Sequence, residues 1–288
     1  MKTIYLFLFI IIIFCTIIYV TCPNLHFNNT STPFFVKDIK ERAFFARNNH
    51  MELINKPYIT IMCTSGLTNR LSTLLSFSYV CRQYKKDLHV IWIKNKTCEC
   101  YFDDYFKDIK GVTVYRDYTD DDIFFTGQCE FYKLLSHFKL PYKNSILLEM
   151  LNLIRLKQFL YTEIKQFVCD NNVHERIGVH VRRTDLTGNL IGKILNGSNC
   201  DEEFFKFIGR KKSFIATDNR ETQLLYKNKY KNNIMWFRNI SYNNNLRKTS
   251  IKNAIIDLYI LSYCAKIKGT KNSRFSEFSL NLKKSRLL

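Results

Sequence analysis

The densest collection of reactive side chains is His180-Val-Arg-Arg-Thr-Asp185, which places an imidazole, two guanidiniums and a carboxylate within six residues. It follows Ile177-Gly-Val, and a β-strand running to Val181 would put His180 and Arg182 on one side and Val179 and Val181 on the other. Two adjacent arginines at a strand exit are costly to leave unpaired, and a diphosphate offers each a bidentate partner. A structural ion pair with Asp185 is the competing use. A second candidate is Thr64-Ser-Gly-Leu-Thr-Asn-Arg70, where Gly66 permits close backbone approach and the free N–H groups of a helix start favour an anion. An ordinary glycine turn capped by Asn69 fits the same residues. The third is the apolar run Ala254 to Cys264, interrupted by Asp257, followed by Lys268-Gly-Thr-Lys-Asn-Ser-Arg-Phe-Ser276. Asp257 requires a partner in such a setting. Ser273 opens a helix whose N–H groups suit another phosphate, although a capped core helix has the same pattern. Metal chemistry has weaker support. Asp103-Asp104 and Asp120-Asp-Asp122 imitate metal-binding acidic motifs but read better as exposed loops, and Cys98-Glu-Cys100 is the only close cysteine pair.

These candidates sit at junctions of alternating elements. Tyr58–Cys63 reads as a buried strand, Leu67 to about Lys85 has apolar residues at helical spacing, and Asp87–Ile93 reads as a second strand. Together they form a βαβ unit with a parallel, right-handed crossover. Residues 94 to 170 are harder to order, with a short strand at Gly111–Tyr115 and a helix near Leu147 to Val168. A cleaner alternation follows: strand Ile177–Val181, helix near Asp201–Ile208, strand Ser213–Thr217, helix Arg220–Tyr230, strand Asn233–Phe237, helix Ile251–Cys264, strand Lys266–Gly269 and a helix from Ser273. In open α/β sheets ligands bind outside the carboxyl ends of the strands, where all three candidate segments fall.

Composition bounds the rest. With 46% hydrophobic and 24% charged residues the chain is globular, and 9 glycines with 4 prolines exclude collagen-like, linker-like and proline-rich classes. The net charge of +19 comes from lysines scattered among Asn and Ile rather than massed. This argues against a nucleic-acid protein and suits phosphorylated ligands or an acidic membrane surface. Ile4 to Cys22 carries no charge and, as a helix, spans about 28 Å, close to a bilayer core. Lys2 precedes it and no lysine follows until Lys37, so the positive-inside rule keeps the N-terminal tail cytoplasmic. A retained signal anchor is favoured over a cleaved signal because Tyr19-Val-Thr-Cys-Pro23 lacks a small-residue cleavage pattern. The expected layout is a tail and anchor over 1–22, a stem over 23–56, an N-terminal α/β domain over 57–171 and a C-terminal one over 172–288. An oxidising compartment would permit one or two disulfides among the eight cysteines outside the anchor. Glycosylation acceptors occur at Asn28, Asn29, Asn95, Asn196 and Asn239.

Taken together the motifs resemble the fucosyltransferase superfamily of GT-B fold that shares the H-x-R motif, which includes α1,2-, α1,6- and protein O-fucosyltransferases. The pattern is nearest the α1,2 branch. His180-Val-Arg-Arg-Thr-Asp185 is similar to its H-x-R-R-x-D, Phe214-Ile-Ala-Thr-Asp-Asn219 to its strand ending in (S/T)-D-(D/N), and Gly66-Leu-Thr-Asn-Arg70 to its G-L-x-N-R loop. Asp257, Cys264 and Ser273-Arg-Phe-Ser276 match a D...C...S-(S/T)-F-S segment, with Arg274 standing where that pattern has Ser or Thr. The resemblance covers about residues 57 to 282. It implies two Rossmann-like domains with the donor mainly in the second, and inverting, metal-independent transfer of L-fucose from GDP-fucose to a glycan or glycoprotein hydroxyl. Arg182, His180 and Asp185 would form the catalytic group, with Asp185 as candidate base. Gly66, Asn69, Arg70, Arg183, Asp218, Asp257, Ser273, Phe275 and Ser276 would bind the donor. No cofactor beyond the donor substrate is implied. The setting would be a type II membrane protein with a lumenal head in the Golgi or endoplasmic reticulum. The alternatives are a transferase of the same fold using another nucleotide sugar, or a non-catalytic glycan-binding relative.

Overall fold

A computed structural model describes residues 56–119, 123–183, 200–239 and 250–286, all within one compact unit spanning residues 42–288. The described chain holds two four-stranded sheets in which every pairing is parallel. This is the α/β class with parallel sheets expected from the alternation of elements.

The first sheet has the order β3-β2-β1-β4, built from β1 (Tyr58–Cys63), β2 (Asp87–Ile91), β3 (Val112–Tyr115) and β4 (Ile123–Gly127). Helix α1 (Leu67–Gln83) connects β1 to β2 as the βαβ reading requires. Its apolar face, with Leu71, Leu74, Leu75, Phe77 and Val80, is fully buried. The second sheet has the order β7-β6-β5-β8, from β5 (Ile177–Val181), β6 (Ser213–Thr217), β7 (Ile234–Met235) and β8 (Lys266–Gly269). The strand expected at Asn233–Phe237 is only two residues long, because Asn233 closes a short 3-10 turn.

Along the chain α2 (Phe102–Tyr105) joins β2 to β3, and α3 (Phe131–His137), α4 (Asn144–Leu151) and α5 (Gln158–Asp170) follow β4. The single helix expected over 147–168 is thus two. Tertiary contacts break it: Lys107 N donates to Arg155 O, Lys157 N donates to Tyr105 O, and Leu156 bridges to Phe106. The second half continues with α6 (Cys200–Ile208), α7 (Arg220–Tyr230), α8 (Ile251–Tyr263) and α9 (Arg274–Ser285).

Strand alternation divides the second sheet into two packed faces. Ile177, Val179, Val181, Ile215 and Ile234 meet Phe204, Ile208 and Tyr226 of α6 and α7. Phe214 and Ala216 join Ile255, Leu258 and Leu261 of α8 in a core continuous with that of the first sheet. Gly178 faces the same way, and a side chain there would press within 3.0 Å of Cys264 and Leu261. With both faces covered, β5 is buried along its whole length, which accounts for its near-continuous apolar sequence.

Two expectations meet different outcomes. Cys63, Cys81, Cys98, Cys100, Cys129, Cys169 and Cys264 are free thiols, so no disulfide joins any of them. Among the described residues no helix is long and apolar enough to cross a membrane, and the apolar run Ile4 to Cys22 lies outside them.

Candidate functional site

β5 pairs with β6 on one side and β8 on the other; β6 follows β5 in the chain while β8 leads on to α9, so the strand order switches beside the carboxyl end of β5. Such a switch leaves a crevice in a parallel sheet. Thr270, immediately after β8, ties this end together. Its Oγ1 and backbone N both donate to His180 O at 3.0 Å, and Oγ1 accepts from Arg182 N at 2.9 Å. The chain at Arg182 is thereby held at the mouth of the crevice, with the Arg182 side chain partly exposed.

His180 lies opposite Gly269 in the β5–β8 register, and the missing side chain of Gly269 lets His180 reach helix α9. Its Nδ1 sits 2.7 Å from Ser276 Oγ and its ring stacks on Phe275 at 4.5 Å between centroids. Burial and then the charge of Arg182 push the imidazole down to about 3, so it is neutral at physiological pH. His180, expected in the catalytic group, is buried against the first turn of α9.

Ser273 occupies the cap position of α9 without a side-chain cap bond. Its hydroxyl is buried and has no hydrogen-bond partner among the described residues. A buried hydroxyl beside the N–H groups of a helix start is a setting that suits an anion.

The neighbouring arginine is engaged differently from the sequence expectation. Arg183 N donates to Asp218 Oδ1 at 2.8 Å, and its guanidinium pairs with Asp201 and reaches Thr222 Oγ1. Asp201 also accepts from the Tyr226 hydroxyl at 3.0 Å. Arg183 and Asp218 therefore brace the β5 exit against α6 and α7. Arg183 has a structural ion pair with Asp201; Asp185, the partner named for one of the two arginines, lies outside the described residues. Asn219, the last residue of the motif after β6, caps α7 by accepting from Thr222 N at 2.8 Å, an arrangement worth about 1 kcal/mol.

On the first sheet, Arg70 is fully buried. It donates to Ser65 O and, at 2.8 Å, to Ile93 O, and lies over the Trp92 ring at 5.3 Å. These contacts tie the loop after β1 to the chain leaving β2. Gly66 precedes α1 with φ −68°, an extended conformation open to any residue, and Asn69 stands half-buried in the first turn without capping the helix. Asn95 pins the same loop by donating to Thr64 O at 3.0 Å. Asp257 sits in α8, where burial raises its carboxyl well above the carboxylate range, and no ion pair reaches it among the described residues. The acidic pair Asp103-Asp104 is used locally: Asp103 pairs with Arg116, while Asp104 caps the backbone of Tyr101 and pairs with Lys94. Asp120 to Asp122 lie outside the described residues.

Sequence reasoning missed Thr270, Asp201 and Glu130. Thr270 and Asp201 carry no local pattern, since each acts on a partner far along the chain. Glu130 ion-pairs with Arg274, joining the segment after β4 to the start of α9.

No family model matches the chain, and no curated protein matches it in sequence. Solved structures do match in fold. A NodZ alpha-1,6-fucosyltransferase co-crystallised with GDP superposes with a TM-score of 0.56 at 15% identity, covering 78% of this chain and 92% of that one. A NodZ alpha-1,6-fucosyltransferase soaked with GDP-fucose gives 0.55 at 15% identity, over 79% and 93%. Fucosyltransferase NodZ from Bradyrhizobium gives 0.55 at 15% identity, over 78% and 92%. This protein has the α/β fold of those structures, in agreement with the GT-B-like architecture that the motifs imply.

Proposed function

We propose that the protein is an inverting fucosyltransferase that moves L-fucose from GDP-fucose to a hydroxyl of a glycan or glycoprotein without a required metal. The observation that carries this reading is at the carboxyl ends of β5 and β8: Thr270 holds Arg182 N, and three residues on, the cap residue of α9, Ser273, has a buried hydroxyl with no partner among the described residues. Departure of GDP places negative charge on the β-phosphate. A guanidinium and oriented helix N–H groups stabilise that charge where it forms, without reorganising at the moment of reaction. One such donor contributes about a hundredfold to a thousandfold in rate. The fold likeness to structures containing GDP and GDP-fucose supports the choice of donor. Asp185 is our candidate for the base that takes the acceptor proton.

The roles divide accordingly. Arg182 and Ser273 face the diphosphate. His180, Phe275 and Ser276 fix the helix start, and Arg183, Asp218 and Thr270 fix the strand exit. We further propose that Ile4 to Cys22 anchors the chain as a type II membrane protein with this head in the lumen.

A panel of nucleotide sugars offered to the full-length protein in detergent, with chelator present, tests the reading by following release of each nucleoside diphosphate. GDP released from GDP-fucose in preference to the other donors is the expected result. Preference for another donor would reassign the substrate, and activity that chelator abolishes and Mn²⁺ restores would replace Arg182 with a metal site.

A further inference from the structure

Arg274 is a cation at the first position of α9, the end of a helix where the macrodipole disfavours positive charge. The structure shows what holds it there. One guanidinium nitrogen pairs with Glu130 and another with Glu277 of the same helix at 3.2 Å. Glu130 stands at the cap position of α3, just beyond β4, and its segment is tethered to the first sheet. Ser65 Oγ donates to Gln128 Oε1 at 3.1 Å, and Cys129 N donates to Thr73 Oγ1 at 3.0 Å on α1. Contacts with Tyr132, Lys133 and Arg274 hold the Glu130 carboxyl below its usual range, so the pair is ionised at neutral pH. Both partners are half-buried, at 37% and 25% exposure, which spares them the full screening of a surface pair.

We propose that Arg274 and Glu130 form an ionic clasp that ties the first turn of α9 to the carboxyl edge of the first sheet, making Arg274 a positioning residue of the donor site. This proposal rests on the donor reading above. Arg274 lies between Ser273, whose buried hydroxyl has no partner among the described residues, and Phe275, which stacks on His180. Fixing its guanidinium to Glu130 therefore holds the helix start through a contact separate from the one His180 makes. The clasp replaces a direct hydroxyl contact to donor with a charged link between the two sheets.

A double-mutant cycle tests it on the full-length protein. Arg274→Ala, Glu130→Ala, the double variant and the charge swap Arg274→Glu with Glu130→Arg are compared by thermal unfolding without ligand and by calorimetric titration with GDP. The clasp predicts that each single variant weakens GDP binding about five- to tenfold and that the double variant is no worse than the poorer single. The swap should return to within about twofold of the parent, with non-additive shifts in Tm. Arg274→Lys should lie between parent and Arg274→Ala. Where the swap fails to fold, Glu130→Gln completes the cycle in its place. If Arg274 touched the donor itself, Glu130→Ala would leave GDP affinity unchanged or raise it, and the swap would abolish binding; either result overturns the clasp. A parent protein that binds no GDP refutes the donor reading. The unfolding cycle then decides the clasp alone, additive Tm shifts refuting it and non-additive shifts supporting it.

Discussion

Replacing Gly269 by alanine puts the coupling between strand and helix under direct strain. The new Cβ would lie 2.2 Å from Ser276 Cβ, 2.3 Å from its Oγ and 3.3 Å from its Cα. Carbon atoms in contact prefer about 3.5–4.0 Å, so the first turn of α9 must retreat by more than about 1 Å. Overpacking of this kind costs about 1–3 kcal/mol. Withdrawal of Ser276 also breaks its 2.7 Å contact with buried His180, worth about another 1 kcal/mol. Gly269→Ala should therefore lose about 2–4 kcal/mol in urea unfolding and weaken GDP binding, because Ser273 moves with the helix. Adding Ser276→Gly removes the two nearest obstacles and should restore the packing part but not the hydrogen bond. A loss below about 0.5 kcal/mol for Gly269→Ala, with GDP binding unchanged, would refute the proposition that His180, Gly269 and Ser276 form one fitted contact.

Arg182→Ala should cost at least about 3 kcal/mol of transition-state stabilisation, over a hundredfold in kcat/KM, and Arg182→Lys should restore little because a point charge cannot reproduce the planar fork. Near-normal turnover would remove the arginine from its role. His180, pushed from its ordinary 6.5 to about 3, refuses in the folded state a proton that the unfolded chain accepts. Its contribution to stability is therefore complete above about pH 6.5 and is lost as pH falls towards 3, by up to several kcal/mol. His180→Asn should flatten the slope of unfolding free energy against pH over that window, and an unchanged slope would contradict the burial account. In microsomes, the lumenal arrangement predicts a protease-protected, glycan-bearing chain. Asn239 is exposed and should be modified more fully than Asn95, whose amide is spent on Thr64 O; a protease-sensitive, unglycosylated head would overturn the topology.

What could be read in advance follows from where the determining contacts lie. β5 is recoverable to the residue because a strand buried on both faces writes a near-continuous apolar run, and α1 because its apolar spacing is local. The break between α4 and α5 is invisible, since nothing at Asn152 to Lys157 forbids a helix; contacts with Tyr105, Phe106 and Lys107 impose it. β4 escapes notice because its pairing with β1 gives it its identity. At the site, the motifs place His180, Arg182, Ser273 and Ser276 in one neighbourhood but misjudge direction. The partners of Arg183 and Arg274 lie 18 and 144 residues away in sequence, and a motif carries no record of such pairings. The bonds from Arg70 to Ser65 O and Ile93 O are likewise not written in the G-L-x-N-R pattern.

The central claim is that a diphosphate is held where β5 and β8 open towards α9, and a crystal structure of the full chain with GDP-fucose measures this most directly. The account predicts phosphate oxygens within hydrogen-bond distance of Ser273 Oγ and the first backbone N–H groups of α9, with the Arg182 guanidinium at the β-phosphate. His180 should remain beneath Phe275 and make no contact with the ligand. A diphosphate seated instead over the segment Asp120 to Asp122 with a divalent ion, or one leaving Ser273 and Arg182 untouched, would contradict it.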